Sequence, residues 1–109
     1  MNEEILSFAD DGFEAQVLKD SRPTLVDFWS HGCAPCRALN PVIEELARKY
    51  EGRLQVGKMN IDDNMIVPTQ WGIRSVPTLL LFKGGAAVER VVGLVSKADL
   101  NDMIAKHLS

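Results

Sequence analysis

The chain has 109 residues, 46% of them hydrophobic and 25% charged, which predicts one ordinary soluble domain spanning residues 1–109. At this length folding buries roughly two-thirds of the unfolded surface, so a core is available without metal or disulfide staples. Twelve basic residues against 15 acidic ones give a formal charge of -3, and the basic residues are scattered, which excludes the electrostatic footprint of a nucleic-acid binder.

From Met1 to Phe8 there is neither the basic start nor the apolar run of a secretory signal, and no apolar stretch approaches the ~20 residues of a membrane span. The expected location is cytoplasmic, with no membrane partner. Asp10, Asp11 and Gly12 precede Phe13, Ala15, Val17 and Leu18, a pattern that predicts a short helix capped by an aspartate and ended before Arg22-Pro23. Thr24 to Trp29 is an apolar, aromatic and β-branched run that reads as a buried strand, with Asp27 as its one intruder. From Cys33 onward, Leu39, Val42, Ile43, Leu46, Ala47 and Tyr50 recur at helical spacing until Glu51-Gly52. Pro41 inside this helix removes one hydrogen bond and should bend the axis.

Leu54 to Ile61 resumes an extended pattern, and strand-helix-strand at this spacing predicts a right-handed βαβ crossover with parallel strands and a sheet covered on both faces. Asp62-Asp63-Asn64 is a turn leading into a short helix that ends near Trp71-Gly72. Thr78 to Phe82 is a second buried strand, which Gly84-Gly85 can turn back into Val88 to Val92 as an antiparallel hairpin. Ser96, three residues before Asp99, opens a last helix striped by Leu100, Met103, Ile104 and Leu108, with His107 on its partly exposed face. The predicted order is β-α-β-α-β-α-β-β-α, an α/β domain with a mixed sheet. Trp29 reads as a packing residue and Trp71 as a helix-end aromatic; neither suggests a cofactor.

The only cysteines, Cys33 and Cys36, stand where a buried strand gives way to the longest helix. As a structural disulfide, their four-residue loop would remove only ~1.9 kcal/mol of unfolded-state entropy, a poor staple. A zinc site would need Cys33, Cys36, His31 and the distant His107 to converge, without the second Cys-X-X-Cys or paired histidines that such sites carry. As a redox couple, residues three apart on a helix lie within bridging distance, so thiols and disulfide interchange with little backbone movement. This third reading is preferred. If Cys33 caps the helix, Pro35 falls in the first turn, where its missing N–H costs nothing, and unpaired N–H groups and the helix dipole favour a Cys33 thiolate. Cys36, one turn further in, should be more shielded.

Val26-Asp27-Phe28-Trp29, Cys33-Ala34-Pro35-Cys36-Arg37, Pro41, Lys58-Met59-Asn60-Ile61-Asp62 and Gly72-Ile73-Arg74-Ser75-Val76-Pro77-Thr78-Leu79-Leu80-Leu81-Phe82 together resemble the thioredoxin family over nearly the whole chain. The resemblance implies a thioredoxin fold, a five-stranded mixed β-sheet flanked by four α-helices, and a protein disulfide reductase without a bound cofactor or metal. Its expected partners are a thioredoxin reductase, taken to be an NADPH-dependent flavoprotein, and target proteins carrying disulfides; the expected state is a monomer. Cys33 would attack the target disulfide and Cys36 would resolve the mixed disulfide. Asp27, raised by burial, is the candidate base for Cys36, against the plainer reading of a carboxylate neutralised by Lys58. The resemblance implies that Lys58 lies near Asp27 and tunes it.

An ordinary X-Pro bond is cis only about 5% of the time, so residues alone predict a trans Val76-Pro77 bond. The resemblance implies the opposite, a cis Pro77 facing the cysteines, with Val76 offering backbone groups to an extended substrate segment. Gly32, Ala34, Pro35, Ile61, Val76, Gly93 and Leu94 would complete a neutral docking patch. Where the family usually has Trp-Cys-Gly-Pro-Cys, this chain has Gly32-Cys33-Ala34-Pro35-Cys36. The loss of the tryptophan removes apolar contact surface, and a differential effect of Ala34 on the two redox forms of up to ~1 kcal/mol would move the potential by about 20 mV. His31 reads as an exposed loop histidine that could also favour the thiolate as pH falls. Two other readings compete: a thioredoxin-fold binding module with incidental cysteines, and a disulfide oxidase or isomerase. The intact set Cys33, Cys36, Asp27 and Pro77 speaks against the first, and Pro35 against the second.

Overall fold

The run Thr24–Trp29 becomes the central strand, β2, of the computed structural model, which describes residues 5–108. β3 (Gln55–Asn60) pairs parallel to one side of it and β4 (Thr78–Lys83) antiparallel to the other. β1 (Ile5–Ser7) adds parallel to β3 and β5 (Ala86–Val92) antiparallel to β4, giving the order β1-β3-β2-β4-β5. Three α-helices, α1 (Ala34–Lys49), α2 (Ile66–Gln70) and α3 (Lys97–Ala105), and a π-helical turn at Glu14–Leu18 provide the four expected helical segments. The mixed five-stranded sheet of the thioredoxin fold is therefore present. Among the described residues no helix is long and apolar enough to cross a membrane. The reading of the chain's start extends to Met1–Glu4, outside the described residues.

Alternation along buried strands divides the core in two. Leu25, Val56, Leu79 and Leu81 face α1 and α3 and pack with Leu39, Ile43, Leu46, Leu100 and Ile104. Val26, Phe28, Met59, Leu80 and Phe82 face the other way, against Phe8, Phe13, Val17 and Val67. Gly57 is needed on that second face, because a Cβ there would lie 2.3 Å from the Phe8 ring. Asp27, between Leu25 and Phe28, points to the α1 side.

Several local expectations are corrected. No aspartate side chain caps the first helical segment, which is a π turn closed by Lys19 N–H donating to the Glu14 carbonyl at 3.0 Å. Asp10 instead reaches across to the start of α2, where its carboxylate accepts from Ile66 N at 3.0 Å and Val67 N at 2.8 Å. Met65, at the N-cap of α2, has no side-chain oxygen to offer, so a residue distant in sequence satisfies those donors. Asn64 Oδ1 accepts from Asp10 N at 2.8 Å and closes the exchange. The last helix ends at Ala105; Leu108 packs on the core from beyond it, and His107 leaves the helix face to meet Glu89 Oε2 of β5 at 2.8 Å. β5 begins two residues earlier than the Val88 start read from the sequence.

Replacing Asp10 by Ala should lower stability in urea unfolding by about 1–2 kcal/mol, since two α2 donors lose their acceptor. Asp11→Ala, at an exposed neighbour with no such bond, should stay within about 0.5 kcal/mol of the parent. Equal losses in the two variants would return the cap to the first helical segment.

Candidate active site

Sheet register collects the candidate residues at one end of the molecule. Trp29 pairs with Asn60, Phe28 with Thr78, and Thr78 with Val92, so the ends of β2, β3 and β5 and the start of β4 lie side by side. Beyond these ends come Gly32-Cys33, Ile61, Val76-Pro77 and Gly93-Leu94. Residues up to about 60 apart in sequence thus share one rim without any contact among their side chains being required.

Cys33 is the N-cap of α1, with extended backbone angles, and its Sγ accepts from the Cys36 N–H at 3.2 Å. Ala34 and Pro35 occupy the first turn, where proline removes a donor that has no intrahelical acceptor. Cys33 is half-exposed, whereas Cys36 retains only 4% exposure. The two are joined as a disulfide across a Cα–Cα distance of 5.3 Å. An N–H aimed at the outer sulfur and the positive end of a 16-residue helix both stabilise negative charge there once the bridge opens. The arrangement can exchange a disulfide at an accessible sulfur while keeping the second sulfur out of water.

Asp27 is fully buried, and neither carboxylate oxygen has a protein hydrogen-bond partner. Burial pushes it up to about 6, against the opposing pull of the Lys58 charge. Parallel pairing sets Lys58 directly beside Asp27 on the same sheet face. The two nevertheless form no ion pair among the described residues. Lys58 Nζ instead donates to Asn40 Oδ1 on α1 and lies 5.9 Å from the centre of the Trp29 ring. Lys58 is thus a neighbouring cation whose charge opposes the effect of burial on Asp27 without pairing with it. Asn40 was not singled out in the sequence, although its position one helical turn after Cys36 was available as a signal.

Val76-Pro77 is cis, as the resemblance and not the residue statistics implied. Gly93 N–H donates to the Pro77 carbonyl at 2.8 Å, which ties the two segments of the expected docking patch together. Gly32, Ala34 and Pro35 are exposed, Val76, Ile61 and Gly93 half-buried, and Leu94 60% exposed. His31 is exposed but not loose: its backbone N–H donates to Asp62 Oδ2 at 2.9 Å, and its ring stands edge-on to Trp29 at 5.1 Å. Its Nε2 lies 3.0 Å from Asn60 Nδ2. Of the four side chains a zinc site would need, the cysteines are bonded to each other, His31 lies against Asn60 and His107 against Glu89.

The thioredoxin family model matches residues 4–106. Thioredoxin 1 of Nostoc sp. is 50% identical over 99 residues, covering 91% of this chain and 92% of its own. Thioredoxin of Acidithiobacillus ferridurans is 48% identical over 108 residues, covering 99% of this chain and 100% of its own. Thioredoxin of Pseudomonas aeruginosa is 46% identical over 100 residues, covering 92% of this chain and 93% of its own.

Asp27 rises from an ordinary 3.8 to about 6, so the folded protein holds this proton more tightly than the unfolded chain. The stability it contributes is fully present below the unfolded value and is lost as pH rises through the folded one. Relative to Asp27→Asn, the parent should therefore lose roughly 3 kcal/mol between about pH 4 and pH 7. Urea unfolding of the disulfide form across that range checks this; parallel curves for the two proteins would show an unperturbed carboxyl.

Proposed function

The chain belongs to the thioredoxin family and is a protein disulfide reductase, and we propose that Cys33 is its attacking thiolate, Cys36 its resolving thiol and Asp27 the base that serves Cys36. In the first step the Cys33 thiolate bonds to one sulfur of the target disulfide, and the other target sulfur leaves as a thiolate. In the second, Asp27 takes the Cys36 proton and the resulting thiolate attacks Cys33 Sγ, expelling the second target sulfur. Two electrons pass to the target and the Cys33–Cys36 disulfide forms. The observation that carries this reading is the unlike placement of the two sulfurs, the first half-exposed at the helix start with an N–H directed at it, the second buried.

A base is useful in the second step because Cys36 has little water to receive its proton. A carboxylate that titrates near neutrality accepts a proton and gives it up again within one turnover. Lys58 tunes that base through its charge, and Pro35 and Ala34 set the first turn on which both sulfurs ride. Substrate contact falls to Gly32, Val76, Pro77, Gly93 and Leu94. Gly32 and Leu94 are exposed, Val76 and Gly93 half-buried and Pro77 buried, and this rim of small and apolar groups suits an extended segment bound strand-like beside the sulfur, which favours breadth of target over a single sequence.

Family membership brings two partners, a reductase that returns electrons to the pair and proteins that carry disulfides. We further propose that the reductase is an NADPH-dependent flavoprotein, and that the chain works as a single 1–109 domain, monomeric and cytoplasmic, as an electron carrier. A binding module would have no use for an unpaired buried carboxylate on the helix face of the sheet. Pro35 between the cysteines favours a reductase over an oxidase or isomerase.

Cys36→Ser should accumulate a covalent complex with a disulfide-bearing protein such as insulin, seen on a non-reducing gel, whereas Cys33→Ser should form none. Complexes of equal yield in both variants would reverse or abolish the assigned order of attack. In stopped-flow mixing, Asp27→Ala should slow release of the mixed disulfide at pH 7 by about 10-fold or more while leaving the first attack within about 2-fold. Equal slowing of both steps would remove Asp27 from the role of base.

A further inference from the structure

Two strand neighbours of opposite charge in a buried parallel ladder should pair, because each is costly to leave alone. Asp27 and Lys58 do not, although the register sets them side by side on one face. Both Asp27 oxygens are buried without a protein partner, while the Lys58 ammonium donates to Asn40 Oδ1 and lies over the Trp29 ring. An ammonium only donates, so the Asn40 amide must present its oxygen, and its orientation is fixed by the contact. Asn40 is half-buried, four residues after Cys36, and sits on the side of α1 that covers this part of the sheet.

We propose that Asn40 is a positioning residue: its side-chain oxygen, with the Trp29 ring, holds the Lys58 ammonium off the Asp27 carboxylate and so keeps the base unpaired. The inference rests on the reading of Asp27 as the base for Cys36, and it adds the residue that prevents a ladder ion pair from disabling that base. The groups that face Asp27 are few. β3 supplies Lys58, β4 supplies Leu79, which carries no charge, and the first two turns of α1 supply Cys36 as their only buried titratable side chain. With the cysteines bridged, neither sulfur titrates, and Lys58 is the one charge whose position can matter.

The test is the titration of the Asp27 carboxyl carbon by NMR in the disulfide form of the intact chain. Asn40→Ala releases Lys58 to approach Asp27, and the titration midpoint should fall by about one pH unit. Alanine is the better helix former, so α1 persists in this variant. Asn40→Asp keeps an oxygen on Lys58, and its midpoint should not fall. In a Lys58→Met background, Asn40→Ala should move the midpoint by less than about 0.2 pH units, because no cation is left to release. A midpoint unchanged or raised in Asn40→Ala, or the same fall with and without Lys58, overturns the proposal. The pH profile of mixed-disulfide release is a separate readout. If it stays fixed while the Asp27 midpoint moves as stated, the positioning by Asn40 stands and the base role of Asp27 fails.

Discussion

The helix α1 begins on a sulfur atom, and the rest of the site follows from that contact. Every helix start leaves backbone N–H groups without intrahelical acceptors, and an oxygen-bearing side chain is the usual remedy. Here Cys33 Sγ receives the Cys36 N–H, so the capping atom and the reactive atom are the same. The cap also fixes the relation between the sulfurs. One stands outside the first turn where a target can reach it, and the other is carried inward by the helix rotation to 4% exposure. Pro35 fits between them because that turn has a donor to spare.

The sheet makes the complementary contribution by putting a carboxylate where a packed fold would prefer a leucine. Leu25, Leu79 and Leu81 on the same face show what the position is built for. Asp27 weakens the core at neutral pH, and the strands around it tolerate this because both faces of β2 are otherwise fully packed. A close ion pair with Lys58 would relieve the cost and would also hold the carboxylate ionised well below neutrality. Drawing the ammonium to an amide oxygen and an aromatic face leaves its field in place but withholds its protons. Burial and charge are in opposition at this one side chain.

What could be read from the sequence follows the range of the forces involved. Periodicity and turn chemistry exposed α1, β2, the Gly84-Gly85 hairpin and the Ser96 cap, because each depends on residues a few positions apart. The Cys33 cap was legible for the same reason. Asp10 was misassigned because an aspartate before an apolar run suits a local cap equally well, and only the folded chain brings it to α2 across 56 residues. The cis Val76-Pro77 bond opposes the residue statistics and was available only through family likeness. Asn40 offered only its place one helical turn after Cys36, since its partner is on another element and a lone asparagine on a helix carries no further pattern.

The loop before Cys33 is held by its own contacts. Gly32 has a positive φ of 74°, so this step of the loop now depends on a residue with no side chain to bury. His31 anchors the loop. Asn60 Oδ1 already accepts from Asp62 N at 2.7 Å, which leaves the Asn60 amide N–H to donate to the His31 ring. The imidazole is then an acceptor at Nε2, with its edge against Trp29, whose ring also receives Lys58. One tryptophan therefore links the tether of the Cys33 loop to the cation beside the buried carboxylate. The segment before Cys33 is thus held by a polar mesh of His31, Asn60 and Asp62.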